Sequence, residues 1–147
     1  MHQNRTILHV DDDPLILELG ARKLKDLGYN VISLPCAKDV LETITQSAVR
    51  VVLLDIDLPD ANGLEVLKEI KRQDGNVQVI MVTGVVDMST VLRSMRWGAE
   101  ACVFKPITDF TTLATAVEQT FAKIDRWWST LNELRQRKAT ELTATKA

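Results

Sequence analysis

The chain has few cysteines and no long apolar run, so it lacks what a disulfide framework or a membrane span requires. It has two cysteines among 147 residues, and Cys36 and Cys102 show no Cys-x-x-Cys spacing. Reduced thiols are therefore the expected state of both side chains, as in cytosolic proteins. A run of about 18 apolar residues is missing, and no apolar signal region follows the N-terminus. We expect a cytoplasmic protein without membrane contact.

An excess of charge of either sign is also lacking. The formal net charge is −2, so composition gives no reason to expect direct binding to nucleic acid. The charge is uneven, because residues 1–122 hold 12 basic and 17 acidic side chains and residues 123–147 hold 6 and 3. The length suits one domain with its own core. We predict that domain over residues 1–122, followed by a helical extension over residues 123–147.

Short apolar runs alternate with segments of helical periodicity along the whole chain. The predicted strands are residues 6–10, 30–34, 51–54, 77–82 and 101–104. The predicted helices are residues 14–27, 37–46, 63–73, 88–97 and a fifth from residue 109 onward. Five such units predict an α/β fold, a doubly wound five-stranded parallel sheet with helices on both faces.

Polar side chains follow four of the predicted strands at their C-terminal ends. They are Asp11 and Asp12 after the first strand, Asp55 after the third, Thr83 after the fourth and Lys105 after the fifth. The carboxyl ends of parallel strands share one edge of the sheet, where ligands bind in doubly wound folds. Neighbouring carboxylates repel each other unless a cation joins them, so we predict a divalent metal site. The lysine suits an anion beside that metal, which indicates phosphoryl chemistry.

These residues belong to four segments whose joint order and spacing are specific. The segments read Ile-Leu-His-Val-Asp-Asp-Asp at 7–13, Leu-Leu-Asp-Ile-Asp-Leu-Pro-Asp-Ala-Asn-Gly at 53–63, Val-Thr-Gly at 82–84 and Val-Phe-Lys-Pro at 103–106. Over about residues 4–122 the chain resembles the receiver domain of two-component response regulators. The resemblance implies a flavodoxin-like, CheY-like fold. It also implies a signalling domain with self-limited phosphorylation rather than an enzyme.

The resemblance implies a role for each polar group. Asp55 looks like the phosphoacceptor, since a carboxylate can attack phosphorus in line when the charges of both groups are neutralised. Lys105 would pair with Asp55 before the transfer and with a phosphoryl oxygen after it. The hydroxyl of Thr83 would donate to another phosphoryl oxygen. A sensor histidine kinase or a phosphotransfer protein is the implied donor.

The resemblance also implies Mg²⁺ as the cofactor. Asp12 would bind the ion, with Asp11 mainly in support or through water. Asp55 and the backbone carbonyl of Asp57 would complete the protein ligands. Mg²⁺ prefers octahedral oxygen ligation and usually keeps several waters, so a small set of protein ligands is sufficient.

An enzyme of another class is the main alternative. The order of Asp55, Asp57, Thr83 and Lys105 is also similar to that in haloacid dehalogenase-like phosphatases, which use an aspartyl nucleophile with Mg²⁺. In that family the acid pair comes last, whereas here it comes first. Turnover of phosphate monoesters would distinguish a phosphatase from a receiver.

One position departs from the receiver pattern. Receivers usually carry Tyr or Phe three residues before the lysine, and that ring moves inward when the threonine hydroxyl turns to the phosphoryl group. Cys102 stands at this position, and a thiol cannot reproduce the usual threonine-aromatic coupling. Trp97, at the end of the fourth helix, is expected to pack on the core.

The end of the chain has apolar residues at alternating steps of four and three. They are Val117, Phe121, Ile124, Trp128 and Leu131, and Arg135 stands at the next step. This heptad seam predicts that the fifth helix overruns the domain. We favour pairing of two copies through this helix, or its use as a stalk toward an output domain or downstream protein; folding back is the alternative. Residues 139–147 lack an apolar face and are expected to fray.

Overall fold

Five parallel strands form one sheet in the computed structural model, which describes residues 4–85, 87–106 and 108–146, with side chains through residue 144. The strands are β1 (Thr6–Val10), β2 (Asn30–Leu34), β3 (Val51–Leu54), β4 (Gln78–Thr83) and β5 (Ala101–Phe104). Their order across the sheet is β2-β1-β3-β4-β5. The strand order reverses at β1, which confirms the predicted doubly wound sheet. In such sheets ligands bind at the carboxyl ends of the strands beside the reversal, which here are β1 and β3.

Helices cover both faces of the sheet. They are α1 (Pro14–Asp26), α2 (Val40–Gln46), α3 (Gly63–Gln73), α4 (Met88–Arg96) and α5 (Thr111–Lys146). Successive residues of a strand point to opposite faces, so Ile7 joins an apolar cluster with α1 and α5, while Leu8 joins one with α2 and α3. No helix in the described part of the chain combines the length and apolarity that a membrane span requires.

Five elements differ from the prediction at a boundary: α1 and α4 each end one residue earlier, α5 begins two residues later, and hydrogen bonds explain the changes in α2 and β4. Helix α2 begins at Val40 rather than Ala37, since the Ala37 N–H donates to Asp60 Oδ1 at 2.9 Å and its carbonyl accepts from the Val40 N–H at 3.1 Å. Strand β4 runs over Gln78–Thr83 rather than 77–82, because the Val77 N–H donates to the Asp74 carbonyl at 3.2 Å in a turn, whereas the Thr83 carbonyl accepts from the Lys105 N–H at 2.8 Å. These corrections leave the predicted order of elements unchanged.

Helix α5 runs past the sheet, as predicted. Phe121 is buried, whereas Trp127 and Leu134 are 66% and 52% exposed. The segment expected to fray is helical through Lys146, because its Ala, Glu, Leu and Lys residues are good helix formers that continue an existing helix. Ala147 lies outside the described residues.

Candidate functional site

The carboxyl edge of the sheet brings three acidic side chains together. Asp11 follows β1 and Asp55 follows β3, and these strands are neighbours with Val10 paired to Leu54. Carboxylate oxygens of Asp11, Asp12 and Asp55 all lie within 4.8 Å of one another. Asp11 and Asp55 are 0% and 5% exposed, whereas Asp12 is exposed to solvent. The edge therefore holds two buried carboxyl groups beside an accessible third.

Lys105 enters this group from the end of β5. Its Nζ lies 2.6 Å from Asp11 Oδ2 and 3.0 Å from Asp55 Oδ2. Burial opposes the charged ammonium, but the hydrogen bonds and charges of the two carboxylates outweigh burial and raise the pKa of Lys105. The ammonium therefore stays charged at neutral pH and bridges two acids that would otherwise repel each other.

Asp55 is held as a buried carboxylate with a defined orientation. Its Oδ1 accepts a hydrogen bond from the Ile56 N–H at 2.8 Å, and its Oδ2 accepts one from Lys105 Nζ at 3.0 Å. Burial raises the pKa of the Asp55 carboxyl above its usual range, and Lys105 offsets this rise only in part. Additional positive charge at this edge would favour the ionised, nucleophilic form.

Thr83 and Asp57, the two other predicted site residues, lie at the end of β4 and in the loop after β3. Thr83 is fully buried at the end of β4, and its Oγ1 accepts a hydrogen bond from the Val85 N–H at 3.0 Å. Asp57 is exposed in the loop between β3 and α3, where it forms an isolated bridge with Asn62. The role of the Asp57 backbone carbonyl as a metal ligand stays a prediction.

The donor set fits Mg²⁺. The three carboxylates supply hard oxygen ligands, and the exposed Asp12 leaves room for the waters that Mg²⁺ retains. Asp11 Oδ2 is fully buried and paired with Lys105 Nζ at 2.6 Å, and no further donor reaches it among the described residues. A lone pair on a buried oxygen therefore remains for an ion. In the described ranges no His or Cys side chain joins the group, which favours Mg²⁺ over softer transition metals.

Cys102 and Trp97 both pack on the apolar cluster that contains α3. Cys102 is half-buried in β5 against the cluster that contains α3, and burial raises the pKa of its thiol. Trp97 packs on the same cluster, as predicted, with Lys68 Nζ 3.7 Å from the centre of its ring. Phe104 is 43% exposed and pairs across the strands with Thr83. The aromatic ring nearest to the threonine along β5 thus stands two residues after the usual position.

His9 is a feature of the site that the sequence interpretation did not single out. It is 1% exposed in β1, two residues before Asp11, and neither ring nitrogen has a hydrogen-bond partner among the described residues. A Cβ at Gly20 would lie 2.8 Å from the ring, so this glycine of α1 makes room for it. Burial lowers the pKa of His9 to about 4, with Asp11 raising it and Lys105 lowering it. The signal in the sequence that could have identified His9 is its place as a polar residue inside the apolar run of β1.

We expect His9 to weaken the fold in mild acid. Between its usual pKa of 6.5 and the folded value of about 4, the unfolded chain binds a proton that the folded chain does not bind. Stability is therefore full above this window and is lost as the pH falls through it. Relative to His9→Leu, the free energy of unfolding should drop by about 2 kcal/mol between roughly pH 7 and pH 4.5. Urea unfolding at both pH values, without metal, measures this; parallel pH profiles for the two proteins would contradict it.

The fold and the site define a class of protein. A parallel sheet with a switch point beside clustered carboxylates and a charged lysine is suited to metal-assisted chemistry on a phosphoryl group. The chain matches the model of the response regulator receiver domain over residues 7–118. It belongs to that family and not to the haloacid dehalogenase-like phosphatases, which were the alternative.

Known proteins from several organisms are similar to this chain. The transcriptional regulatory protein MalR of Bacillus subtilis (strain 168) is 28% identical over 133 residues, which are 89% of this chain and 56% of MalR. A CheY-like receiver domain protein from Methanospirillum hungatei JF-1 has a TM-score of 0.76 and 30% identity, covering 84% of this chain and 99% of its own. The response regulator protein TrrA from Thermotoga maritima, solved in complex with Mg²⁺-BeF, has a TM-score of 0.72 and 30% identity, with coverages of 79% and 98%. The chain spans little more than half of MalR.

Proposed function

We propose that this chain takes a phosphoryl group from the phosphohistidine of a sensor histidine kinase or phosphotransfer protein onto Asp55. One observation carries the proposal. The buried Asp55 carboxylate lies within 4.8 Å of two further carboxylates and 3.0 Å from a charged lysine. This arrangement combines a nucleophile, a metal site and a phosphate-pairing cation at one edge of the sheet.

The transfer is a single in-line displacement. An Oδ atom of Asp55 forms a bond to phosphorus while the bond from phosphorus to the donor imidazole nitrogen breaks. The electron pair of the broken bond returns to that nitrogen, and the product on this chain is an acyl phosphate. Lys105, already 3.0 Å from Asp55, pairs with the new phosphoryl oxygens. The Thr83 hydroxyl supplies a further hydrogen bond to them.

Mg²⁺ would be held by Asp11, Asp12 and Asp55, with the Asp57 carbonyl as a further ligand. Bound there, it neutralises charge on the carboxylates and on the phosphoryl oxygens. The similar TrrA structure, which contains Mg²⁺-BeF, supports this assignment. Lys105 has to leave Asp11, which it contacts at 2.6 Å, before the ion can use that carboxylate fully.

The phosphorylated state would be transmitted through the loop between β4 and α4. Thr83 Oγ1 is bonded to the Val85 N–H, so a turn of this hydroxyl toward a phosphoryl group frees the start of that loop. Helix α4 follows directly and exposes Met88, Leu92 and Met95 by 74%, 52% and 67%. This face suits contact with a downstream protein, and it does not depend on an aromatic ring at residue 102.

We further propose that the receiver ends near residue 122 and that residues 123–147 serve as a helical connection to a second copy or to an output domain. The exposed apolar residues of this part of α5 support such a contact. We expect the module to act in the cytoplasm through proteins, without direct contact with nucleic acid or membrane.

Phosphorylation by a small-molecule phosphodonor such as acetyl phosphate tests the function. With Mg²⁺, the intact mass should rise by one phosphoryl group, and hydroxylamine, which cleaves acyl phosphates, should remove it. Without Mg²⁺ the mass should stay unchanged. Sustained turnover of a phosphate monoester, with no stable labelling of the chain, would contradict the proposal and favour a phosphatase.

Replacing Lys105 should separate metal binding from phosphoryl transfer. In Lys105→Met, no ammonium competes for Asp11 and Asp55, so we expect Mg²⁺ to bind several-fold more tightly. Labelling by acetyl phosphate should fall by about 100-fold, because one fixed cation no longer stabilises the developing charge. Calorimetric titration with Mg²⁺ and mass spectrometry measure the two effects. Equal or weaker Mg²⁺ binding in the variant would show that Lys105 does not compete with the ion.

A further inference from the structure

Three buried side-chain atoms at the end of β1 are short of hydrogen-bond partners. They are the two ring nitrogens of His9, which have none, and Oδ2 of Asp11, which is paired with Lys105 Nζ at 2.6 Å and has no further donor. No other buried side-chain nitrogen or oxygen of the described residues is in this state. Burial of a polar group without a partner is unfavourable, and each such group calls for an explanation. A histidine beside a carboxylate can supply what both groups lack.

His9 and Asp11 lie on the same face of the sheet. Residues two apart in a strand point to the same side, and the backbone stays in the ladder through Asp11, whose N–H donates to the Leu34 carbonyl at 3.1 Å. The two residues are about 6.6 Å apart along the strand, which is two rises of about 3.3 Å. Burial lowers the pKa of His9, and after burial the charge of Asp11 raises it and that of Lys105 lowers it. The ring therefore lies near both groups.

We propose that the His9 ring donates a hydrogen bond to Asp11 Oδ2 when Lys105 withdraws from that oxygen. His9 is then a positioning residue, because it acts on the metal site through Asp11 and does not touch the ion. The inference rests on the proposed function, which makes Asp11 a metal ligand and moves Lys105 to the phosphoryl oxygens. It needs no change of protonation, since imidazole has an N–H donor in both its neutral and its charged form.

Asp11 needs a replacement donor because two groups fix its carboxylate. Its Oδ1 accepts from the Asp13 N–H at 2.9 Å, and its Oδ2 is paired with Lys105. Withdrawal of Lys105 leaves Oδ2 without a donor inside the protein, where Asp11 is 0% exposed. A carboxylate that is held at one oxygen alone can turn, so its ligand atom loses its place. Hydrogen bonds to a ligating carboxylate keep it oriented, and Oδ2 has lone pairs for both a donor and an ion.

Packing alone does not account for a histidine at this position. A leucine would fill apolar space in β1 without two unpartnered nitrogens. Gly20 of α1 adds to this argument, because a Cβ there would lie 2.8 Å from Nδ1 and Cε1 of the His9 ring. The helix thus lacks a side chain at the one place where it would press on the ring. This leaves the imidazole free to adjust its angle toward Asp11 while α1 still covers it.

Nitrogen NMR of the imidazole ring tests the hydrogen bond directly, on the full chain labelled with ¹⁵N in histidine. The chain has two histidines, and His9→Leu assigns the signals of His9. In Lys105→Met without metal, Asp11 has lost its ammonium partner, so the His9 N–H should already donate to it. We expect the N–H proton to shift downfield from its position in the unmodified chain. The shift should be absent when Asp11→Ala is added to Lys105→Met.

Calorimetric titration with Mg²⁺ measures the consequence for the metal site. His9→Leu keeps a side chain of similar size but removes the donor, so Mg²⁺ should bind about 10-fold more weakly. Asparagine and glutamine place an amide N–H near the positions of Nδ1 and Nε2, so either His9→Asn or His9→Gln should recover most of the affinity. Ile7→Val, a buried change on the same face of β1, is the control and should leave the affinity unchanged.

Two sets of results would overturn the proposal. One is a His9 N–H signal that is the same in Lys105→Met as in the unmodified chain, or whose shift persists after Asp11→Ala. The other is Mg²⁺ binding by His9→Leu equal to that of the unmodified chain, or equally weak binding by all three His9 variants, which would indicate packing alone. Failure of the proposed function is distinguishable, because the unmodified chain would then bind no Mg²⁺ or remain unlabelled. The metal-free spectrum of Lys105→Met would still decide whether His9 donates to Asp11.

Discussion

Asp55→Asn is expected to leave the chain unlabelled by acetyl phosphate and Mg²⁺. The asparagine amide is uncharged, and its nitrogen lone pair is delocalised into the carbonyl group. It therefore cannot attack phosphorus as a carboxylate does. Loss of a nucleophile lowers rates by at least about 1,000-fold, so no mass increase should be seen on the time scale that labels the unmodified protein fully. Intact-mass spectrometry measures this, and full labelling of the variant would contradict Asp55 as the acceptor.

The fold should survive this substitution. Asparagine has the shape of aspartate, and its amide oxygen can still accept from the Ile56 N–H, which bonds Asp55 at 2.8 Å. Its amide nitrogen cannot accept from Lys105, which keeps its pairing with Asp11 at 2.6 Å. Burial of the carboxylate is unfavourable, as its raised pKa indicates, so Asp55→Asn should melt at the same temperature or higher. Asp12→Asn is the matched control for the site: it keeps the nucleophile and should label at raised Mg²⁺ concentration.

Gly63→Ala is expected to give the largest loss of stability among single methyl additions at glycines of this chain. An added Cβ would lie 2.0 Å from the Asp55 carbonyl oxygen and 2.7 Å from Ile56 Cα. Both are backbone atoms, so the start of α3 must move away from the end of β3. We expect a loss of about 3 kcal/mol in the free energy of unfolding. Slower phosphorylation should accompany it, because the displaced backbone carries Asp55.

Gly75→Ala is the matched control for that substitution. The nearest atom to its added Cβ is the Lys71 carbonyl oxygen at 3.9 Å, an ordinary contact, so the change should stay within about 0.5 kcal/mol. Urea unfolding of both variants beside the unmodified chain measures the difference. Equal free energies of unfolding for Gly63→Ala and Gly75→Ala would mean that the close approach of α3 to β3 carries no strain.

Much of the site could be predicted from local features of the sequence. Each acidic residue comes directly after an apolar run, and parallel strands bring such positions to one edge. The clustering of Asp11, Asp12 and Asp55, which the structure shows, therefore followed without knowledge of the strand order. Their roles in metal binding and phosphorylation stay predictions. The start of α2 was missed because it depends on Asp60, which is 23 residues away in the chain. Hydrogen bonds over that distance leave no periodic signal.

The sequence by itself determined the class of fold, the order of the elements and the identity of the acidic and basic side chains, since strand and helix periodicities are local properties. Only the tertiary structure decided that Lys105 bridges Asp11 and Asp55 and that His9 is buried without a partner. It also decided that α5 buries Phe121 and leaves Trp127 exposed. Charge, burial and contact depend on neighbours from β1, β3 and β5, and these strands become neighbours only when the sheet forms.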